Sequence, residues 1–321
     1  MENDETNKRF AKLPNRDTIE AVHNIQDYIR LHFQDEDFSV EGVCVEAGYS
    51  RRHVDRMFQF FLGQPLKDYI KSVCLTQSAN ELIESDTSVL DVALNCHFQT
   101  HEGFTRSFYR KFHVTPSQYR KTQIPVPLFT QYPIGHYYAL LDYVQNKEDQ
   151  EMNQNMNLCM ITCMITAKER PRRKLIYLPA KKADDYFSYC EEMGCDWEGL
   201  MNSIPEKYES AALIELPSAL VPEGFSKTAV GVEVPLSFEK PLPEGYRIAE
   251  LKECIMLYFQ SEPYEDENDF CAAIESTYAA IEKYRPEQYG YRFAYDLAPS
   301  FNFGAEAATG ARIAVPAVEI S

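Results

Sequence analysis

The chain has 321 residues, 45% of them apolar, which is enough to fill two cores of ordinary size. No run of eighteen apolar residues occurs, which excludes a membrane-spanning helix, and the charged opening Met1–Glu5 lacks the apolar stretch of a signal peptide. The net charge of −17 is uneven: residues 15–122 hold 12 basic and 15 acidic groups, whereas residues 123–321 hold 17 and 31.

A cytoplasmic protein is expected. The nine cysteines have no regular spacing: three residues separate Cys159 from Cys163 and four separate Cys190 from Cys195, with no second Cys or His pair to complete a zinc site. They read as free thiols of a reducing compartment, with no metal and no cofactor.

Residues 1–14 are polar and read as a disordered N-terminus. From Asp17 a helical period runs through Ile19, Val22, Ile25 and Ile29 to Leu31 or Phe33, and helical patterning continues to about Lys121. Within it the sequence repeats itself at an offset of 49–50 residues, Ser39–Phe58 against Ser88–Phe108. Each copy opens on a serine N-cap, Ser39 or Ser88, and Ser88 with Asp91 approximates a capping box. A short amphipathic helix, a turn and a second cap (Ser50 or Thr100) then lead into another helix. The buried stripe of that second helix is Val54, Met57, Phe58 and Phe61 in one copy and Phe104, Phe108 and Phe112 in the other. Its opposite face carries Arg51, Arg52, Asp55, Arg56 and Gln59, or His101, Glu102, Thr105, Arg106 and Tyr109. Arg, His and Thr near the N-terminus of a short helix suit base edges in the major groove, and the caps suit phosphates at helix N-termini. The expected partner is therefore double-stranded DNA, although a bundle with arginines outside would show the same pattern. A local charge of −3 is low for such a domain and implies modest affinity.

Residues 123–157, beginning with the proline-punctuated Ile124–Leu128, read as a partly helical linker. After Leu158, β-like runs fall at 158–166, 173–179, 210–216, 228–235, 246–260, 289–297 and 310–320, with helical patterns at 183–203 and 267–284. The expected architecture is multi-domain: an all-α N-terminal domain over 15–122 with two helix-turn-helix units, then an α+β domain over 158–321. The second domain would hold duplicated strand–helix–strand–strand units in an antiparallel sheet, its second unit built on strands near Tyr291–Tyr295 and Ala311–Val318.

The stretch Ser88–Arg120, with Gly103–Phe108 and Thr115–Arg120, resembles the signature of the AraC/XylS family of transcription regulators. The resemblance covers residues 15–122. It implies two helix-turn-helix units on one rigid domain, with recognition helices entering successive major grooves. Candidate DNA contacts are Ser50, Arg51, Arg52, Asp55 and Arg56 in the first unit, and Thr100, His101, Glu102, Thr105 and Arg106 in the second. The chain departs from the family at His97 and His113, where glycine is usual, at Cys74, often arginine, and at Gly42, inside a helix. A left-handed His97 would cost about 1 kcal/mol or more, so weakened DNA binding is one expectation.

Residues 158–321 resemble the GyrI-like effector-binding domain, through segments such as Lys182–Gly194, Gly231–Pro235 and Phe259–Tyr264. That resemblance implies a small-molecule effector held in an aromatic groove, commonly with an acidic residue. The candidate ligand contacts are Trp197, Tyr258, Tyr264, Tyr278, Tyr291, Phe293 and Glu233. Where relatives carry glutamates this chain offers Arg292 and Ala314; Glu215, Glu233 and Glu253 are the alternative carboxylates, on faces that alternation leaves open. Aromatic faces beside carboxylates suit flat, amphipathic or cationic ligands. The expected function is a ligand-responsive, sequence-specific transcription regulator, with RNA polymerase as a possible further partner and no membrane. The alternatives are a drug-sequestering protein with vestigial DNA binding and a GyrI-like hydrolase. Residues 158–321 contain no histidine, nucleophile triad or phosphate loop, so no enzyme is expected.

Overall fold

A computed structural model describes residues 16–35, 37–132, 134, 163–265 and 269–320. The expected disordered segment 1–14, most of the expected linker and the strand residues 158–162 lie outside the described residues.

Seven helices are described in the first part of the chain. In α1 (Arg16–His32) the 3.6-residue period buries Val22, Ile25 and Ile29, and Phe33 continues it while Leu31 is 68% exposed. Helix α2 (Val40–Glu46) starts where Ser39 Oγ accepts the Gly42 N–H at 3.0 Å. A turn at Gly48 (φ +70°) leads to α3 (Arg51–Leu62). The second unit repeats the design with α5 (Val89–Asn95), capped by Ser88, and α6 (His101–Phe112), capped by Thr100 Oγ1. Between them runs α4 (Leu66–Glu84); α7 (Pro116–Thr122) closes the unit with a full capping box between Thr115 and Gln118. Two expected caps differ. Ser50 stands at the N-cap of α3 but its hydroxyl caps nothing, and the Asp91 carboxylate accepts from the Ser88 hydroxyl at 2.7 Å instead of closing a reciprocal box.

Helix α4 serves both units. Val73 and Cys74 pack in one core with Val22, Val54 and Phe58, whereas Leu75, Ala79 and Leu82 pack in the other with Phe104, Phe108 and Tyr119. Because one helix is a wall of two cores, the two units cannot rotate independently without opening both. Cys74, read as a departure, is buried here, and its thiol donates to the Cys96 carbonyl at 3.2 Å.

His97 is left-handed (φ +57°), as is His113 (φ +58°). The His97 imidazole offsets the backbone cost: its Nε2–H donates to the Phe33 carbonyl at 2.9 Å, and its ring packs against Phe33 and Phe38. A glycine there would relax the backbone but lose this tie between α1 and the second unit. His97→Ala keeps the strain and loses the bond, so it should cost about 1–2 kcal/mol, while His97→Gly should cost about 1 kcal/mol less. Urea unfolding of the two variants checks the order.

The second part is one antiparallel sheet in the order β1-β6-β9-β8-β3-β4-β2-β5, with β7 also paired to β9. Its strands are β1 (Cys163–Arg170), β2 (Arg173–Pro179), β3 (Ala212–Glu215), β4 (Thr228–Pro235), β5 (Arg247–Leu251), β6 (Cys254–Ser261), β7 (Tyr291–Phe293), β8 (Ser300–Glu306) and β9 (Gly310–Glu319). Helices α8 (Tyr186–Met193), α9 (Trp197–Asn202) and α10 (Phe270–Lys283) cover one face. Alternation assigns the faces: Ile176, Val230, Val232 and Val234 meet Tyr189, Trp197 and Met201, while Leu257, Phe259 and Ile313 meet Ile281 and Tyr284. The opposite face carries Leu175, Tyr177, Ile214, Met256, Tyr258 and Phe301.

Several expected elements move. The helix read over 183–203 breaks at Gly194 (φ +76°) into α8 and α9, and the strand read over 246–260 is two strands. Tyr291–Phe293 is only a three-residue edge strand. The inner strand after α10 is Ser300–Glu306, and its alternating Phe301 and Phe303 were the available signal. β1 extends to Arg170 and brings Lys168 and Arg170 onto the face opposite the helices.

Residues 124–132 of the expected linker form an extended strap between the two parts. On the helical side the buried Gln26 amide clamps it, donating to the Tyr132 carbonyl and accepting from the Ile134 N–H, each at 3.0 Å, while Phe129 N–H donates to Thr76 Oγ1. On the sheet side Val126 N–H donates to Ser203 Oγ at 2.9 Å, and Tyr132 Oη donates to Glu198 Oε2 at 2.6 Å.

Candidate functional site

The expected DNA-reading residues fall at two helix N-terminal faces. Arg51, Arg52, Asp55, Arg56, Gln59 and Pro65 border an open concavity of about 610 Å³ on α3. Within it the roles separate. Asp55 Oδ1 accepts the Leu66 N–H at 3.2 Å, capping α4, where Pro65 has no capping side chain. Arg51 is held by Glu41 at 2.9 Å and lies 3.8 Å from Asp55. Arg56 lies 3.1 Å from His53, and Arg52 is exposed with no carboxylate partner among the described residues. The face thus keeps Arg52 and Arg56 available and commits Asp55 and Arg51 to the scaffold.

On α6, His101, Glu102 and Arg106 are exposed beside the Thr100 cap. Thr105 is half-buried, and its hydroxyl oxygen is turned away from solvent. Arg120, also within the resembling stretch, is structural. Its Nε donates to the Leu82 carbonyl at 3.0 Å and its Nη2 to that of Thr87, fixing α7 across the α4–α5 turn.

The expected ligand contacts are not gathered in one place. Trp197 is 5% exposed in the core under α9, edge-on to Tyr189, which makes it an anchor. Tyr291 and Phe293 pack beside Tyr284 on the helix-covered side. Tyr278, half-exposed, accepts a hydrogen bond from Asn302 at 3.3 Å. Tyr264 is half-buried, with its N–H donated to the Ala307 carbonyl. Of the seven, Tyr258 and Glu233 share the sheet face opposite the helices. Of the alternative carboxylates, Glu253 is exposed and Glu215 pairs with Lys227 at 2.6 Å.

Glu233 is itself spoken for. Arg173, fully buried, donates Nε to Glu233 Oε1 at 2.6 Å and Nη1 to the Lys252 carbonyl at 2.8 Å; Arg170 Nε lies 3.4 Å from Glu233 Oε2. Sequence reading missed the rest of this cluster. Glu209 Oε1 accepts from Lys168 at 3.2 Å and Arg170 at 3.0 Å, Arg312 faces its Oε2 at 3.2 Å, and Arg170 also reaches the Tyr258 hydroxyl. Burial alone would raise the Glu209 carboxyl, but the Lys168 hydrogen bond, the charges of Arg312 and Lys168 and the Arg170 hydrogen bond hold it below its usual range. The one available signal was the period-two placement of Lys168 and Arg170.

Glu198 is shifted the other way. Burial under the strap raises its carboxyl, and the Tyr132 hydrogen bond only partly offsets this. The sign follows by linkage: the folded state holds this proton more tightly, so its contribution is present below the ordinary value of 4.5 and is lost as pH rises through the folded value. Glu209 contributes in the opposite sense, above 4.5, and loses its contribution on acidification. Glu198→Gln keeps an acceptor for Tyr132. It should be no less stable than the parent at neutral pH and should flatten the loss above pH 4.5, as read by urea midpoints between acid and neutral pH.

Comparison with known proteins agrees with the helical half. The family model for a helix-turn-helix domain matches residues 43–122. The multiple antibiotic resistance protein MarA of Escherichia coli K12 is 34% identical over 123 residues, covering 38% of this chain and 95% of that one. The right origin-binding protein of the same organism is 36% identical over 88 residues, 27% of this chain and 30% of that one. A solved DNA-binding domain of AdpA, a global transcriptional factor in complex with a target DNA, is 28% identical over 32% of this chain, with a TM-score of 0.30. Two helix-turn-helix units on a shared central helix define a DNA-binding module. The chain belongs to the AraC/XylS family of DNA-binding transcription regulators.

Proposed function

We propose that the chain is a ligand-responsive, sequence-specific transcription regulator in which the helical half reads DNA and the sheet half binds a small effector. The observation that carries the DNA reading is the pairing of Arg52 and Arg56 on α3 with His101, Glu102 and Arg106 on α6, all exposed, on helices that α4 ties into one body. Rigid spacing of two such helices suits successive turns of one major groove, so a single chain can span both.

Strand order supports the effector reading. β2, β3 and β4, with α8 and α9 between the first two, and β6, β8 and β9, with α10 and the edge strand β7 between the first two, follow mirrored orders in the sheet, β6-β9-β8 and β3-β4-β2, and meet along β3–β8. A duplicated unit is what a GyrI-like effector domain would carry, and this strand order is consistent with that reading. The strap gives such a domain a mechanical route to the DNA-binding half: an effector that prefers one arrangement of the two halves changes DNA affinity, or contact with RNA polymerase, by that preference. The acidic sheet half, in turn, keeps its own surface off the duplex.

The test is a shift and footprint assay with genomic fragments at two salt concentrations. A sequence-dependent complex at low salt is expected. Arg52→Ala should weaken it by about tenfold, and should lower the salt slope by about one if the guanidinium meets a phosphate. Absence of any sequence-dependent complex at low salt defeats the DNA reading. An effector that binds without changing DNA affinity defeats the regulatory coupling.

A further inference from the structure

We infer that the sheet half takes an anion: a small aromatic carboxylate, received by Arg312 at the cavity lined by Phe303, with Lys168, which shares Glu209 with Arg312, alongside. This rests on the effector reading above and names the chemical class of the ligand.

Charge carries the argument first. Residues 123–321 hold 17 basic against 31 acidic groups, yet on this face, among the described residues, Lys168, Arg170, Arg173 and Arg312 gather around Glu209 and Glu233. The exposed Glu306 at the cavity rim is a third carboxylate and still leaves the cations in excess. Glu169 follows Lys168 on β1 and so points to the other face. A locally positive site in a strongly negative region attracts anions only where solvent can reach it. Arg173 and Arg170, 0% and 9% exposed, are consumed by Glu233, Glu209 and backbone carbonyls. Arg312 and Lys168, 30% and 47% exposed, share the single carboxylate of Glu209. Five guanidinium and three ammonium N–H groups meet one carboxylate, and donors remain for a second.

The surroundings select an aromatic acid. The Arg312 guanidinium lies 4.3 Å from the Phe303 ring centroid and the Lys168 ammonium 4.6 Å from that of Tyr258; the two rings stand nearly parallel, 6.3 Å apart. The adjoining cavity, of about 260 Å³, is lined by Ser210, Gln260, Phe303, Thr309, Gly310 and Arg312 among others. It falls just under the range of about 300–1,000 Å³ that holds drug-sized ligands, which fits one ring or a fused pair. Glu209 and Glu233 are already neutralised by side chains of this chain, so among the described residues the exposed rim carboxylate of Glu306 is what remains for a cationic ligand, against the spare donors of Arg312 and Lys168 for an anion.

Two probes that share an indole ring and differ in charge, indole-3-acetate and tryptamine, test this by calorimetric titration of the full chain. Indole-3-acetate should bind. Arg312→Gln should weaken it by about tenfold or more, Lys168→Gln by less, and Arg312→Lys should retain part of the affinity. Both sites are partly exposed, and unchanged melting midpoints show that each variant folds. Tryptamine binding as tightly as the acid, no binding of the acid at millimolar concentration, or equal binding by Arg312→Gln overturns the inference. The effector reading is judged separately, by DNA affinity with bound ligand. Tryptamine that binds and shifts DNA affinity leaves regulation standing and removes the anion site; indole-3-acetate that binds without such a shift does the reverse.

Discussion

Replacing Arg173 by methionine is expected to destabilise the sheet half by about 3–5 kcal/mol, among the largest effects of any single change in it. Arg173 is fully buried and delivers its Nε to Glu233 at 2.6 Å, with further donors to the Pro171 and Lys252 carbonyls. Without it Glu233, itself buried, keeps only the 3.4 Å approach of Arg170, which is already divided among Glu209, Tyr258 and Glu233. An uncompensated buried carboxylate is far costlier than the pair was stabilising. The double variant Arg173→Met with Glu233→Met should therefore recover much of the loss, since Arg170 keeps Glu209. Urea unfolding of the two single variants and the double closes the cycle. If Arg173→Met alone costs less than about 1 kcal/mol, Glu233 does not depend on Arg173 for its charge to be tolerated in the core.

The second large effect is expected at Gly199→Ala. The α9 helix presses on the strap so closely that a Cβ on residue 199 would lie 1.8 Å from the Leu128 carbonyl oxygen and 2.7 Å from its carbon. Both are backbone atoms, so no rotamer change relieves the clash; strap or helix must move. Displacing the strap breaks the Val126–Ser203 and Tyr132–Glu198 hydrogen bonds and uncovers Val126, otherwise fully buried. The loss should exceed the ordinary cost of overpacking, about 1–3 kcal/mol. It should also change the pattern of unfolding, since the strap is bonded to both halves. The parent should melt with the two halves coupled, whereas Gly199→Ala should show two separated transitions and faster proteolytic cleavage within residues 124–132. A single, unshifted transition would mean that the strap does not join the halves mechanically. In a ligand-responsive regulator the same variant should uncouple effector binding from DNA affinity while leaving each binding step in place.

The helical half was legible because its determinants are local. The period through Val22, Ile25 and Ile29, and the caps Ser39, Ser88 and Thr100, act within one or two helical turns, and the repeat displayed them twice. Long-range contact changed only details there. Asp55 looked like a base reader until the start of α4 claimed its carboxylate, and the Thr105 hydroxyl oxygen is turned away from solvent. His97 was visible as a misfit, but its recompense, a carbonyl at Phe33, lies 64 residues away.

In the sheet half, sequence determined that strands alternate with helices, and little about which residues meet. A strand exposes its side chains with period two, so an error of one residue in extent or register reverses every face, and Glu233, Glu215 and Glu253 looked equivalent before pairing was known. Pairing then set them apart: one is buried against Arg173, one is tied to Lys227 and one lies in solvent. Glu209 gathers cations from positions 168, 170 and 312, and only the order β1-β6-β9 brings those strands side by side. By itself the sequence determined the local helices, their caps and the duplicated reader, because those energies are settled between near neighbours. The charge partners, the placement of the aromatics and the grip of the strap were decided by tertiary structure, because each depends on groups that approach only once the sheet has closed.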